Sequence, residues 1–389
     1  MRRTSAALIG LALFGVLLGA LAERASAIPA FARTYSLSCS TCHAPFPRLN
    51  GFGEAFAGRG FRMPDPSAEP ESATRETGDP KLSLPATLPL AVRMEGHVVG
   101  QEGGEADLDF ESPWVFKLLS GGPISPKLSY YAYFIIEQGG VEGLEDAYLH
   151  VHELFGQPVD LLFGQFQVSD PLFKRELRLE RSDYEIYRVR IGEARANLTY
   201  DRGLMLFGTL PGEIDTTFQV VNGNGIPEGE FDSDSKKNFA LRLSREFGPV
   251  RAGLFGYLGD EEGEASPHAD RIVYFGPDLT IGTGGNWEVN LQYLERTDDD
   301  PYFLGPGAVE FETRGGFAEL HFFPQGQQGD WVVSALYNRI ESDDPSAERD
   351  DAAIAVNYLW ARNIRLLAEA AHDLEADDSR LSLGLVTAF

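Results

Sequence analysis

Five consecutive residues, Cys39-Ser40-Thr41-Cys42-His43, carry the spacing most suited to chemistry in this chain. Two thiols three positions apart can each add to one vinyl group of a single haem. The histidine that follows is then directed at the iron as proximal ligand, the pattern of c-type haem attachment. Cys39 and Cys42 are the only 2 cysteines among 389 residues, so no disulfide framework competes for them. A redox Cys-x-x-Cys should open a helix within a βαβ pattern, and no such pattern follows. Zinc would need a third or fourth strong ligand close by in sequence, and that is missing too. One covalent haem c on Cys39 and Cys42, with His43 on its iron, is therefore the expectation.

The segment that must present the motif is short. Pro45-Phe46-Pro47 follows His43, and the stretch from Arg48 to Gly58 reads as a helix. Leu49, Phe52 and Phe56 share one face of it at i, i+3 and i+7. Gly51 and Gly53 resemble a dinucleotide fingerprint only superficially, since no strand precedes them. From Met63 to Pro89 the chain is rich in Pro, Ser, Glu and Thr and reads as a linker. About 40 residues cannot enclose a haem unaided, so another part of the chain must supply the second wall.

The first residues point to export. Arg2 and Arg3 precede an apolar run from Ala6 to Ala22, and Ala25-Ser26-Ala27 reads as a cleavage site. This is the pattern of a secretory signal peptide, with Ile28 opening the mature chain; an uncleaved anchor is the alternative. Haem attachment of this type occurs outside the bacterial cytoplasmic membrane, so signal and motif agree. A formal charge of −26 repels nucleic acid and favours cations or basic partners. Much of that charge could equally serve to solvate loops.

Residues 88–389 read as one antiparallel barrel. Segments of roughly 10 residues alternate apolar and polar positions, with Gly, Pro and acidic residues between them. Phe239, Leu241, Leu243 and Phe247 interleave with Asn238, Ala240, Arg242, Ser244 and Glu246; Trp287, Val289, Leu291 and Tyr293 interleave with Glu288, Asn290 and Gln292. A soluble sandwich alternates too, but the connections discriminate. Short links such as Phe247-Gly248-Pro249, Gly156-Gln157-Pro158 and Ala361-Arg362-Asn363 alternate with longer acidic ones such as 224–236, 259–270 and 341–351. Short turns on one rim and long loops on the other are the habit of outer-membrane barrels. Strands are expected to start near 89, 109, 128, 145, 158, 203, 215, 238, 249, 270, 285, 310, 331, 351, 364 and 380, sixteen in all. The last alternates Leu381, Leu383, Leu385, Thr387 and Phe389, a terminal aromatic of the kind read by barrel-assembly machinery. The organisation is thus signal peptide 1–27, haem segment 28–64, linker 65–87 and barrel 88–389. Between 169 and 202 lies a long loop with Lys174, Arg175, Arg178, Arg181, Arg188 and Arg190; it could enter the lumen or pair with the acidic loops.

Two side chains compete for the sixth position on the iron. Met63 is the only methionine of the haem segment, and thioether ligation favours a high potential. On the first barrel strand Met94 faces outward, while Arg93, Glu95 and His97 face the lumen, making His97 the rival. His150 and His152 share a polar face with Asp146, and His321 shares one with Glu319. An open sixth site is a further alternative.

The run Ile28-Pro29-Ala30-Phe31-Ala32-Arg33, the Cys39–His43 motif and Pro47-Arg48-Leu49-Asn50-Gly51-Phe52-Gly53 together resemble the fused monohaem cytochrome–porins of the outer membrane. The match covers about 35 residues; over the barrel the likeness is of architecture only. The best-known members are iron oxidases. The resemblance implies a haem segment set in or against a sixteen-strand porin. It would pass electrons from an extracellular donor, Fe(II) in the type members, to a periplasmic c-type cytochrome or similar carrier. It also implies outer-membrane lipid as the surroundings. Alternatives are a porin whose haem segment merely docks a redox partner, or a haem sensor or peroxidase.

Overall fold

The computed structural model describes residues 30–44, 48–65, 74–75, 77–82, 84–85, 89–101, 108–138, 140–172, 179–226, 231–232, 234–264, 266–282 and 285–389. The expected export signal and its cleavage site lie outside these residues, as do Lys174, Arg175 and Arg178.

Sixteen antiparallel strands form a closed barrel: β1 (Leu90–Gln101), β2 (Asp109–Ser125), β3 (Leu128–Glu137), β4 (Gly140–Val151), β5 (Val159–Gln167), β6 (Tyr200–Leu210), β7 (Ile214–Val221), β8 (Asn238–Phe247), β9 (Val250–Glu262), β10 (Ala269–Ile281), β11 (Trp287–Asp298), β12 (Phe311–Phe322), β13 (Trp331–Ser342), β14 (Arg349–Ala361), β15 (Ile364–Asp373) and β16 (Asp378–Ala388). Each strand pairs with its sequence neighbours, and β16 pairs with β1 from Arg380↔Gln101 to Ala388↔Arg93. Phe389 extends that seam by exchanging backbone hydrogen bonds with Val92 at 2.7 and 2.9 Å. Closure leaves no free sheet edge.

The alternation is inverted relative to a soluble protein. Along β8, Phe239, Leu241 and Leu243 are exposed on the outside, while Asn238, Ala240, Arg242 and Ser244 are buried inside. Along β11, Glu288, Asn290, Gln292 and Arg296 point inward and Trp287 and Tyr293 outward. On the rim of the 248–249 and 362–363 turns, outward aromatics pair up: Trp287 stacks on Phe322 at 4.0 Å, and Trp331 lies tilted against Tyr358 at 4.6 Å. Among the described residues no helix is long and apolar enough to cross a membrane.

Connections are short on the rim where β1 begins and β16 ends, with 323–330 the longest. On the opposite rim 168–199, 222–237 and 299–310 are the longest, while β15 and β16 are joined by the short 374–377 and β3 and β4 by 138–139. There β4 begins at Gly140 instead of near 145, because register shifts around Phe134 and Ile135 let the pairing run on to the strand ends.

Residues 168–172 and 179–199 fold into the lumen and give the barrel its hydrophobic core. Val168, Leu172, Leu179, Tyr184, Ile186, Tyr187, Val189, Ile191 and Leu198 are all buried there. Polar wall groups hold it. Arg296, fully buried and paired with Asp298, donates to the carbonyls of Val189 (2.7 Å) and Ala196 (3.1 Å). Tyr184 donates to Glu319 (2.7 Å) and stacks on Phe317, and Tyr187 donates to Gln292 (3.0 Å). Arg181 pairs with Glu111, and Arg195 with Glu261. Of the two alternatives for this loop, its described part enters the lumen; Arg181 meets Glu111 on the wall, Arg188 meets Asp183 within the loop, and Arg190 is exposed.

Candidate functional site

Three short helices carry the Cys39–His43 region: α1 (Ala30–Tyr35), α2 (Cys39–Cys42) and α3 (Gly51–Gly58). Ser38 caps α2, and the single turn puts Cys39 and Cys42 at i and i+3, neighbours on a helix surface. Both thiols are free and half-buried. Burial, the largest influence on each, pushes both thiols up in pKa. His43 ends the turn, its backbone N–H bound to the Cys39 carbonyl at 2.9 Å and its chain bridged to Leu49.

Asn50 joins α2 to α3. Its backbone N–H donates to the Cys42 carbonyl (2.8 Å), its side-chain amide to that of Thr41 (3.0 Å), and its Oδ1 caps α3 at the Gly53 N–H (2.9 Å). The expected helix from Arg48 therefore begins at Gly51, because Asn50 is spent as the cap and Leu49 as the bridge. Gly53 then lies directly under the Cys42 carbonyl, where a side chain would not fit. Behind the helices Phe31, Phe56 and Phe61 cluster, with Phe31 stacked on Phe61 at 4.5 Å and Phe52 stacked on Phe56.

This segment sits in the short-turn mouth of the barrel. Arg62 donates to the carbonyls of Ser125, Pro126 and Leu128 at the β2–β3 turn. Arg48 pairs with the inward Glu288 of β11, and Arg33 donates to the Leu90 carbonyl. Phe61 meets Tyr131 of β3 at 5.7 Å. Gly60, with φ of +64°, packs so closely on His152 and Ser129 that no Cβ could be accommodated. Between the segment and the inward loop a cavity of about 370 Å³ remains, bordered by Leu49 and Ala57 below, Leu172 and Tyr184 above, and His150 and His321 on the wall. Among its described residues the expected linker, 65–87, contributes a two-residue ribbon, Thr74–Arg75 against Leu84–Pro85.

The candidate sixth ligands part company. Met63 is half-buried and directly follows the anchored Arg62. His97 faces the lumen as expected, with Met94 outside. It is held by Ser382 (3.0 Å) beside Glu95 and Trp114, all of the barrel wall, and Arg181 of the inward loop lies over Trp114 at 3.8 Å. His321 bonds Ser334 and Glu319, as its shared face suggested. His150 and His152 do face inward with Asp146, yet their partner is Asp160 on the next strand. Only the hairpin register, with His150 opposite Leu162, brings that carboxylate to them.

No family model and no curated protein matches the chain. Solved structures do resemble it. An anion-selective porin from Comamonas acidovorans aligns with a TM-score of 0.56 at 11% identity, over 78% of this chain and 99% of that one. OmpT, an outer membrane protein of Vibrio cholerae, aligns at 0.55 and 11%, over 78% and 99%. The outer membrane channel DcaP of Acinetobacter baumannii aligns at 0.55 and 12%, over 77% and 96%. At such identity the likeness is one of fold, and that fold is the closed sixteen-strand barrel of the porins.

Proposed function

We propose that this protein is an outer-membrane electron-transfer protein, a porin-type barrel whose short-turn mouth is closed by its own haem-binding segment. The observation that carries the reading is the docking of residues 30–44 and 48–65 into that mouth through Arg33, Arg48, Gly60, Phe61 and Arg62, with the Cys-x-x-Cys-His turn among them. An apolar exterior, an aromatic pair of stacks at one rim and longer loops at the other fit a barrel in lipid, with the short turns in the periplasm.

The residues present suit a covalent haem. Cys39 and Cys42 are free, neighbouring and half-buried, and His43 follows at the end of the turn. Raised thiol pKa values are the reverse of what a redox dithiol or thiolate metal site uses. Cys39 and Cys42 would hold the group and His43 its iron. Met63, on the same segment and next to its anchor, is the better sixth ligand than His97, which the wall already engages. A haem bound there supplies reversible one-electron iron chemistry at the inner mouth of the barrel.

The chain's own contribution is positional and electrostatic. The inward loop and the segment fill the lumen from opposite ends, so solute leakage is opposed while the redox group is held at the periplasmic side, open to a carrier such as a c-type cytochrome. At the other rim, exposed carboxylates such as Glu264, Asp299, Asp343 and Asp377 raise the local concentration of cations. That favours a cationic donor, Fe(II) foremost, over an anionic one.

The test is a visible spectrum of the full-length protein from cells able to mature c-type cytochromes, before and after anaerobic Fe(II), together with planar-bilayer conductance. A covalent c-type spectrum, reduction by Fe(II) and near-silent conductance are expected. Haem reducible by dithionite but not by Fe(II) removes iron as donor. Absence of covalent haem, or its retention by a Cys39→Ser, Cys42→Ser chain, rejects the reading; strong conductance without haem leaves a plain porin.

A further inference from the structure

We infer that His150, His152 and Asp160 form a binding site for one divalent transition-metal ion of the zinc type, set in the barrel wall beneath the N-terminal segment. Their ligand atoms all lie within 4.8 Å of one another. The Asp160 Oδ2 stands 2.8 Å from His150 Nε2 and 3.1 Å from His152 Nδ1. Ligands of a tetrahedral zinc at about 2.0–2.1 Å stand roughly 3.3 Å apart, so a small opening of the cluster admits the ion.

The fold builds this cluster. His150 and His152 are two apart at the end of β4 and share its inward face. The register of the next hairpin, His150↔Leu162 and Val151↔Leu161, continued by one residue, sets Asp160 opposite His152. The tight turn between them contains Glu153 and Phe155 in left-handed backbone, which holds the two strand ends together.

Outer contacts orient two of the three ligands, His152 and Asp160, as metal sites require. His152 Nε2 lies 2.9 Å from Ser129 Oγ; with its proton there, the Nδ1 lone pair faces Asp160. The Glu153 backbone N–H donates to Asp160 Oδ1 at 2.9 Å and leaves Oδ2 for the ion. Both imidazoles are buried, and His150 borders the 370 Å³ cavity, which offers space for a fourth ligand or water. Two imidazoles and one carboxylate select zinc or its first-row neighbours over Mg2+ and Ca2+, which prefer all-oxygen shells. The site is independent of the haem reading. Gly60 rests on the far side of the His152 ring, so an ion here would also stiffen the seat of the segment.

Equilibrium dialysis of the full-length protein against Zn2+, with excess Mg2+ present to occupy surface carboxylates, reads the site directly. One more tightly bound Zn2+ per chain is expected in the parent than in the His150→Gln, His152→Gln variant, and Ser129→Ala should weaken that ion about tenfold. Zinc-edge X-ray absorption of the parent should show imidazole scattering, which needs no variant to fold. Equal zinc content and affinity in parent and variant, or an edge spectrum of oxygen ligands alone, would overturn the assignment and leave the three residues a hydrogen-bonded clasp.

Discussion

Gly53 lies under the backbone carbonyl of Cys42, where a Cβ would stand 2.2 Å from the oxygen. The close approach locks α3 across the Cys-x-x-Cys-His turn, so the glycine belongs to the geometry of that turn and not to any phosphate loop. Gly53→Ala must push the helix off the turn. Overpacking of this kind costs about 1–3 kcal/mol. Haem content per folded chain should fall, measured by pyridine haemochrome against protein, while the heat-modifiable gel mobility of the barrel stays unchanged.

Two guanidinium groups help tie the N-terminal segment to the short-turn mouth. Arg62 satisfies the carbonyls of one turn, and Arg48 meets Glu288, whose side chain is buried. Hydrogen bonds to charged groups contribute about 1.5–3 kcal/mol each. The double variant Arg48→Ala, Arg62→Ala should therefore release the segment part of the time. Planar-bilayer recordings should show brief openings that the parent lacks, and unchanged silence would assign the seal to the inward loop alone.

That inward loop hangs on Arg296. The residue is wholly buried with Asp298 and carries two loop carbonyls. Arg296→Met leaves the Asp298 carboxylate buried without its counter-charge, a loss of about 3–5 kcal/mol. The urea midpoint should drop accordingly. Adding Asp298→Asn should restore part of it, since removing both charges costs less than stranding one.

The barrel was readable because lipid-type strands carry a two-residue period with polar residues inside, and that inversion survives in each of β8 and β11 as written in sequence. Strand starts fell within a few residues of those expected. Gly140 is the largest departure, since a bulged strand loses its period. The 168–199 loop was harder. Tyr184, Ile186 and Tyr187 lack strand or helix periodicity, and only the enclosing wall makes them core. The helix start was misplaced because Asn50, Leu49 and Arg48 have long-range duties that local pattern does not display. Asp160 was invisible as the partner of His150 for the same reason: the pairing is made by register across a turn, not by spacing along one strand.

Docking of the N-terminal segment should depend on pH through Glu54. This residue of α3 borders the cavity and keeps much of its surface open to it, yet the surrounding walls make desolvation the largest influence. Desolvation, helped by Glu246 and Glu288 and opposed by Arg251 and Arg48, raises its carboxyl above the ordinary value of 4.5. A carboxyl whose pKa is higher in the docked state than in the released state binds more protons when docked. Docking is then favoured fully below the ordinary value, and this contribution is lost as pH rises through the raised one. Conductance openings of the Arg62→Ala variant should accordingly be rarer at about pH 4.5 than at about pH 7, a difference that follows the docked carboxyl's protonation. Glu54→Gln, neutral throughout, should hold the low-pH behaviour at both values. A pH dependence that survives Glu54→Gln would transfer the effect to another group at the mouth.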